Sequence, residues 1–315
     1  MCVAATVVLA EALYRFVERP LRVRGGHGEV RPTSRSRARR FTRFAVPALG
    51  AAVAMCAASV TVAWANDRPE AYPEEVRDIV AMDRGAVSAE RRAETRALCR
   101  EPKTGAMCGS FAEDEQNVLI LGDSVGVEGH LLAEEMWPDA NVVTAEKAEC
   151  PPLRTLDGIQ HSFAGCEQLN DRRFESLGEN ADRIDRVVVA MRLDDERLPH
   201  VLDVVAWLTE QGIEESVYGV GPQYDQFVWQ VMAMHQPGAD AERALYSHLT
   251  VASTLNAAYA DGVAQRGGQY IDRWSWACQE GACRAHLGDD ITDLVMVDKV
   301  HMTRDAVVAF AQSVR

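Results

Sequence analysis

Most of the compositions that mark a non-globular chain are missing from this one. Glycine (22) and proline (12) are too scarce among 315 residues for a collagenous or low-complexity protein. Apolar residues make up 47%, too many for wholesale disorder. No internal repeat is present, which removes solenoid and propeller arrays. Positive charge is scarce beyond residue 65. Ten of the 33 Lys and Arg fall in residues 1–65, against three acids, Glu11, Glu18 and Glu29. The remaining 250 residues therefore hold 23 basic and 44 acidic side chains. So acidic a body repels phosphate backbones and excludes nucleic acid as a partner.

A long uncharged run occurs only at Phe44–Ala65, FAVPALGAAVAMCAASVTVAWA. At about 1.5 Å per residue, a helix of that length crosses the roughly 30 Å hydrocarbon core of a bilayer. The ten arginines precede it, so the positive-inside rule puts the N-terminal side in the cytoplasm and everything after Asn66 outside. A cleaved signal peptide is the competing reading, since Ala63-Trp64-Ala65 fits a processing site. The length of the run and of the preface before it favours a retained span. The opening stretch, MCVAATVVLAEALYRFV, carries Glu11 and Arg15 and reads as part of a membrane helix (residues 1–22). Residues 23–43 form a basic loop suited to anionic headgroups.

Cysteine usage fits export. Cys2 and Cys56 fall in the apolar runs, and six others follow as near neighbours: Cys99 and Cys108, Cys150 and Cys166, Cys278 and Cys283. An even count in an exported region reads as a disulfide framework. Six cysteines allow about 15 connectivities, and neighbour pairing is the preferred one. Zinc at Cys278, Cys283 and His286 lacks a fourth ligand, so no metal is expected.

Residues 66–116 are polar, with helical character from Glu74 to Leu98, and read as a stalk or collar. From Asn117 the pattern alternates. Asn117–Gly122 is an apolar strand, Val125–Met136 a helix, and Val142–Ala145 and Arg186–Met191 further strands. A helix over Leu198–Gln211, a strand over Ser216–Val220, one long helix over Ala239–Gln265 and a short strand over Gln269–Ile271 follow. Thr303 caps a closing helix that runs to Val314. Strands alternating with helices predict an α/β domain over 117–315 whose mainly parallel sheet is covered on both faces.

Two short motifs carry chemistry. Gly122-Asp123-Ser124-Val125 joins the first strand to a helix, where open α/β sheets bind their ligands and the helix N-terminus favours negative charge. Asp298-Lys299-Val300-His301 precedes the last helix. A hydroxyl needs a base to become a nucleophile, and a carboxylate three residues before the imidazole can fix its tautomer. Serine first, with Asp and His near the end, is the order of a Ser-His-Asp hydrolase on an α/β sheet.

With those residues in place the chain resembles the SGNH hydrolase superfamily. More narrowly, it resembles the SGNH domain fused behind acyltransferase-three membrane proteins, which O-acetylate bacterial surface glycans. Tyr14-Arg-Phe-Val-Glu-Arg-Pro-Leu-Arg22 is similar to the close of such a membrane domain, and Cys150-Pro151-Pro152-Leu153 to a motif of the fused domain. The resemblance implies a flavodoxin-like three-layer sandwich behind an N-terminal transmembrane region. It implies Ser124, His301 and Asp298 as the triad. Backbone N–H groups of Ser124 and Glu149, with Arg192, would form the oxyanion site. Gly122, Asp123, Val125, Gly221 and Pro222 would line the cleft, and disulfides would link Cys99–Cys108, Cys150–Cys166 and Cys278–Cys283. No cofactor is implied for this chain; an acetyl-CoA-derived acyl donor would be handled by a membrane acyltransferase domain, a part of which (1–22) is present. The chain departs from the family at Val125, where His is frequent, at Glu149, where Gly is usual, and at Arg192, in the neighbourhood of an absent Asn.

Two functions follow from these readings. One is a membrane-tethered O-acyltransferase or esterase facing the periplasm or exterior, with a glycan acceptor and the lipid bilayer, or a separate acyltransferase membrane domain, as partners. The other is a non-catalytic glycan-binding module left from a fusion protein.

Overall fold

The computed structural model describes Arg77 and residues 107–235, 238–290 and 292–315. The apolar runs at 1–22 and 44–65, the basic loop at 23–43, Cys2, Cys56 and Cys99 lie outside the described residues. Among the described residues no helix is long and apolar enough to cross a membrane.

Five parallel strands form the core: β1 (Asn117–Gly122), β2 (Asn141–Glu146), β3 (Arg186–Ala190), β4 (Glu214–Tyr218) and β5 (Gln269–Ile271), in the order β2-β1-β3-β4-β5. This is the α/β sheet that the strand–helix alternation predicts. β1 is buried along its whole length because it lies inside the sheet with helices over both faces, so both sides of its pleat are apolar. Helices connect the successive strands, as parallel pairing requires. Helix α1 (Gly126–Met136) links β1 to β2, α2 (Cys166–Glu179) links β2 to β3, and α3 (Leu198–Glu210) links β3 to β4. Between β4 and β5 come α4 (Val228–Met234), α5 (Ala239–Ser247) and α6 (Ser253–Ala264). After β5 follow α7 (Arg273–Ala277), the two-residue ribbon β6 (Cys278–Gln279) and β7 (Ala282–Cys283), and α8 (Arg304–Val314), which packs on α1. Thr303 caps α8 by accepting the Ala306 N–H.

Helix α1 sits unusually near the sheet. A Cβ at Gly122 would lie 2.5 Å from Gly126 Cα and 2.7 Å from the Ala190 carbonyl oxygen. At Gly126 it would lie 2.7 Å from Glu146 Cγ. The missing side chains let the helix that follows the serine press against β1 and β3.

Three elements depart from the sequence pattern. β4 begins and ends two residues before Ser216–Val220: Glu214 and Glu215 already pair with β3, while beyond Tyr218 only the Gly219 N–H still reaches the Ile271 carbonyl of β5 and the Val220 N–H is taken by the Tyr270 hydroxyl. The helix expected over Ala239–Gln265 is two, α5 and α6, broken where Leu249 leaves the helix to bridge Tyr224 and Thr250 donates to the Gln223 carbonyl. Helix α2 was invisible to apolar periodicity because its inward stripe is Cys166, Asn170, Arg173 and Leu177, half of it polar. Packing against the sheet begins before Asn117: Cys108 forms a two-way backbone bridge with Thr144 of β2.

Candidate active site

The strand–turn–helix at β1 presents Ser124 at the C-terminal edge of the sheet, half-buried between the buried Asp123 and Val125. Asp123 holds the turn. Its Oδ1 accepts the Val125 N–H at 2.8 Å and its Oδ2 accepts the Arg192 N–H at 3.1 Å, tying the ends of β1 and β3 together. Burial pushes the Asp123 carboxyl above its ordinary range, and the two N–H donors oppose that shift.

The loop before α8 brings the other motif to the same edge. His301 Nε2 lies 2.9 Å from Ser124 Oγ, across 177 residues of sequence, and His301 Nδ1 lies 2.7 Å from Asp298 Oδ2. Asp298 Oδ1 accepts the N–H groups of Val300 and His301, each at 2.8 Å, which closes a tight turn and aims the carboxylate at the imidazole. Burial raises the Asp298 pKa, but the hydrogen bond and charge of His301 with the two N–H donors overcome it and bring the value to about 2. An ionised Asp298 accepting from Nδ1–H leaves Nε2 as the basic nitrogen, facing the hydroxyl. Hydroxyl, imidazole and carboxylate thus stand in one hydrogen-bonded line.

The other predicted site residues divide. Glu149 is exposed and held in the left-handed region, φ 65°, a conformation natural to the glycine usual there. Arg192 is exposed at the end of β3, and its Nε donates to Gln223 Oε1 at 2.8 Å. Gln223 is itself fixed, donating through Nε2 to the Leu193 carbonyl at 2.7 Å. Gly122, Asp123, Val125, Gly221 and Pro222 are all buried, so they support the site from beneath instead of presenting a surface to a ligand. A Cβ at Gly221 would lie 2.6 Å from Arg273 Cζ, which shows that the loop after β4 packs on a buried guanidinium.

Disulfides join Cys150 to Cys166 and Cys278 to Cys283. Cys108 is also disulfide-bonded, while Cys99 lies outside the described residues. Among the described residues no group of His, Cys, Asp and Glu is arranged to hold a metal ion.

Two buried cations underlie the site. Arg173, fully buried on α2, donates to the Gly122 carbonyl at 3.1 Å, the Cys150 carbonyl at 3.3 Å and Asn170 Oδ1 at 2.9 Å. It thereby joins the turn at Ser124 to the loop that carries Glu149. Burial lowers its pKa to about 10, opposed by the charges of Glu146 and Asp123, and it stays cationic at neutral pH. Arg273 on α7 pairs with Glu128 of α1 at 2.8 Å. Neither arginine stood out in the sequence. Arg173 lies on a helix whose buried stripe is half polar, and the partner of Arg273 is 145 residues away.

Residues 88–315 match the family model described as SGNH domain (fused to AT3 domains). No curated protein matches the chain. Among solved structures, the chain is similar in fold to the lipopolysaccharide acetyltransferase periplasmic domain of Salmonella ser. Paratyphi A. That match has 15% identity and a TM-score of 0.56, over 74% of this chain and 95% of that one. A putative SGNH hydrolase from Slackia heliotrinireducens aligns at 17% identity with a TM-score of 0.39, over 64% and 97% of the two chains. On the family match over most of its length, the chain belongs to the SGNH domains of the kind fused to AT3 domains.

Proposed function

We propose that this protein is a serine O-acyltransferase or esterase that moves or removes acetyl groups on hydroxyls of cell-surface glycans. The single observation that carries the proposal is the line from Ser124 Oγ through His301 to Asp298, with contacts of 2.9 and 2.7 Å. Ser124 Oγ attacks the acyl carbonyl as His301 Nε2 takes its proton. The tetrahedral intermediate collapses to an acyl-enzyme, and His301 returns the proton to the departing alcohol. A second hydroxyl then gives its proton to Nε2 and attacks the acyl-enzyme, restoring the serine. Asp298 keeps the imidazole in the tautomer that accepts at Nε2 and offsets its positive charge when protonated. The developing oxyanion is received by the Ser124 and Glu149 N–H groups at the sheet edge and by the Arg192 guanidinium. Water as the acceptor gives an esterase, and a sugar hydroxyl gives a transferase.

The family match, with its fusion to membrane domains, and the periplasmic origin of the Salmonella domain support placing the C-terminal domain outside the cytoplasmic membrane. The Phe44–Ala65 run would be its anchor and the lipid bilayer its surroundings. A membrane acyltransferase domain would supply the acyl group, so this domain needs no cofactor of its own.

The test is turnover of a chromogenic acetyl ester, with and without an added glycan acceptor. The wild-type chain, Ser124→Ala, His301→Ala and their double variant are compared. Each single variant should lose nearly all activity, and the double variant should be little worse than either, because the residues act as one unit. Equal turnover by wild type and Ser124→Ala would leave a non-catalytic glycan-binding module in its place.

A further inference from the structure

The triad joins two chain segments from opposite ends of the domain, and a buried carboxylate spans the gap between them. Glu128 lies one helical turn beyond Ser124 on α1 and is fully buried. Its Oε1 accepts the N–H of Met302, the residue next to His301, at 3.1 Å. Its Oε2 accepts from Arg273 Nη1 at 2.8 Å and from the Tyr218 hydroxyl at 3.3 Å. Arg273 is 1% exposed and is itself fixed, donating through Nε to the Gly219 carbonyl at 2.6 Å and lying 4.2 Å from the centre of the Tyr218 ring. Burial keeps the Tyr218 hydroxyl protonated by pushing its pKa upward, so it faces the carboxylate as a donor.

Packing alone does not call for this arrangement. A leucine would fill the position on α1, and a buried ion pair is often no more stabilising than apolar side chains of equal volume. What a leucine cannot do is accept the Met302 N–H. That bond ties the residue after the imidazole, whose backbone also bridges Met296, to the helix that follows Ser124.

We propose that Glu128 is a positioning residue: its buried carboxylate, anchored by Arg273 and Tyr218, sets the distance between His301 and Ser124 by holding the Met302 backbone. The proposal rests on the reading of Ser124, His301 and Asp298 as the reacting line. A displacement of about 1 Å at a reacting group can cost roughly 10²-fold in rate, and that is the size of loss expected when the bond is removed.

The experiment compares two double variants of the full chain in mild detergent, both without the buried charges. Glu128→Gln with Arg273→Met retains a carbonyl oxygen to accept from Met302, and Glu128→Leu with Arg273→Met removes it. The Gln pair should recover most of the wild-type kcat. The Leu pair should lose about 10²-fold in kcat at unchanged KM, with labelling of Ser124 by a fluorophosphonate slowed in proportion. A purely structural role would make both pairs lose activity alike, following their loss of thermal stability.

Two further measurements do not depend on turnover. The low-field Nδ1–H proton of His301, assigned by its absence in His301→Ala, should persist in the Gln pair and vanish in the Leu pair. In wild type the Met302 amide should resist hydrogen exchange as strongly as the amides inside α1, a measurement that stands if either pair fails to fold. Wild-type kcat in the Leu pair, equal losses in both pairs, or a rapidly exchanging Met302 amide would each overturn the proposal. A wild type inactive on every ester, with the resonance and exchange as expected, refutes the catalytic reading and leaves the positioning role standing.

Discussion

Glu149 is the position where stability and activity can be separated by one side chain. Its backbone φ is 65°. An L-residue there costs roughly 1–2 kcal/mol relative to a right-handed conformation, because Cβ crowds the carbonyl. Glycine removes that crowding but loses about 0.5–1 kcal/mol through the greater freedom of its unfolded chain. Glu149→Gly should therefore stabilise the domain by about 0.5–1 kcal/mol, a rise of roughly 1–4 °C in Tm for a domain of this size. The same change removes a carboxylate beside the proposed oxyanion site, so kcat on an acetyl ester should rise a few-fold. That gain should shrink in high salt, since the carboxylate is exposed and screened. Glu149→Ala serves as the control: it removes the charge but keeps Cβ, so it should raise kcat without raising Tm. Thermal unfolding followed by circular dichroism and initial rates at two ionic strengths read both quantities. If Ala stabilises as much as Gly, backbone strain is not the cause. If neither changes kcat, Glu149 does not border the reacting carbonyl.

Arg192→Ala should lower kcat by about 10²-fold or more and also cost about 1–3 kcal/mol of stability, because the buried Gln223 Oε1 loses its donor; unchanged turnover removes Arg192 from the site. Asp298 titrates near 2 in the folded protein, below its ordinary 3.8, so its contribution to stability is complete above the unfolded value and is lost as pH falls through about 2. Below about pH 4 the stability difference between wild type and Asp298→Asn should shrink toward pH 2 in urea titrations; a gap that still widens over that range contradicts the assignment. Gly122→Ala should destabilise by about 1–3 kcal/mol, because its Cβ would meet backbone atoms that cannot step aside. An unchanged urea midpoint would show that α1 can move off the sheet.

The apolar strands were readable because a central parallel strand is buried on both faces and needs no decoding of period: Asn117–Gly122 and Arg186–Ala190 lie within one residue of where the pattern put them. The serine and the Asp-x-x-His motif were readable because each sits at an element boundary that has its own signal, a glycine turn and a threonine cap. Helix α2 was not, since its buried face is built on Asn170 and Arg173 and is satisfied by carbonyls distant in sequence. Glu128 and Arg273 escaped for the same reason. Their partners are 145 residues apart, and a lone charge on a helix reads as solvent-facing until the fold supplies its counterpart. Gln223 became significant only when it was seen to hold Arg192.

The 177-residue span between Ser124 and His301 also fixes an order of events during synthesis. The nucleophile's strand leaves the ribosome first among the five, and the sheet is complete once Ile271 has emerged. At that stage Ser124 has no imidazole partner, because His301 and the helix that seats its loop are still to come. On the proposed mechanism the serine would gain its base only when the last segment docks onto the helix of the first.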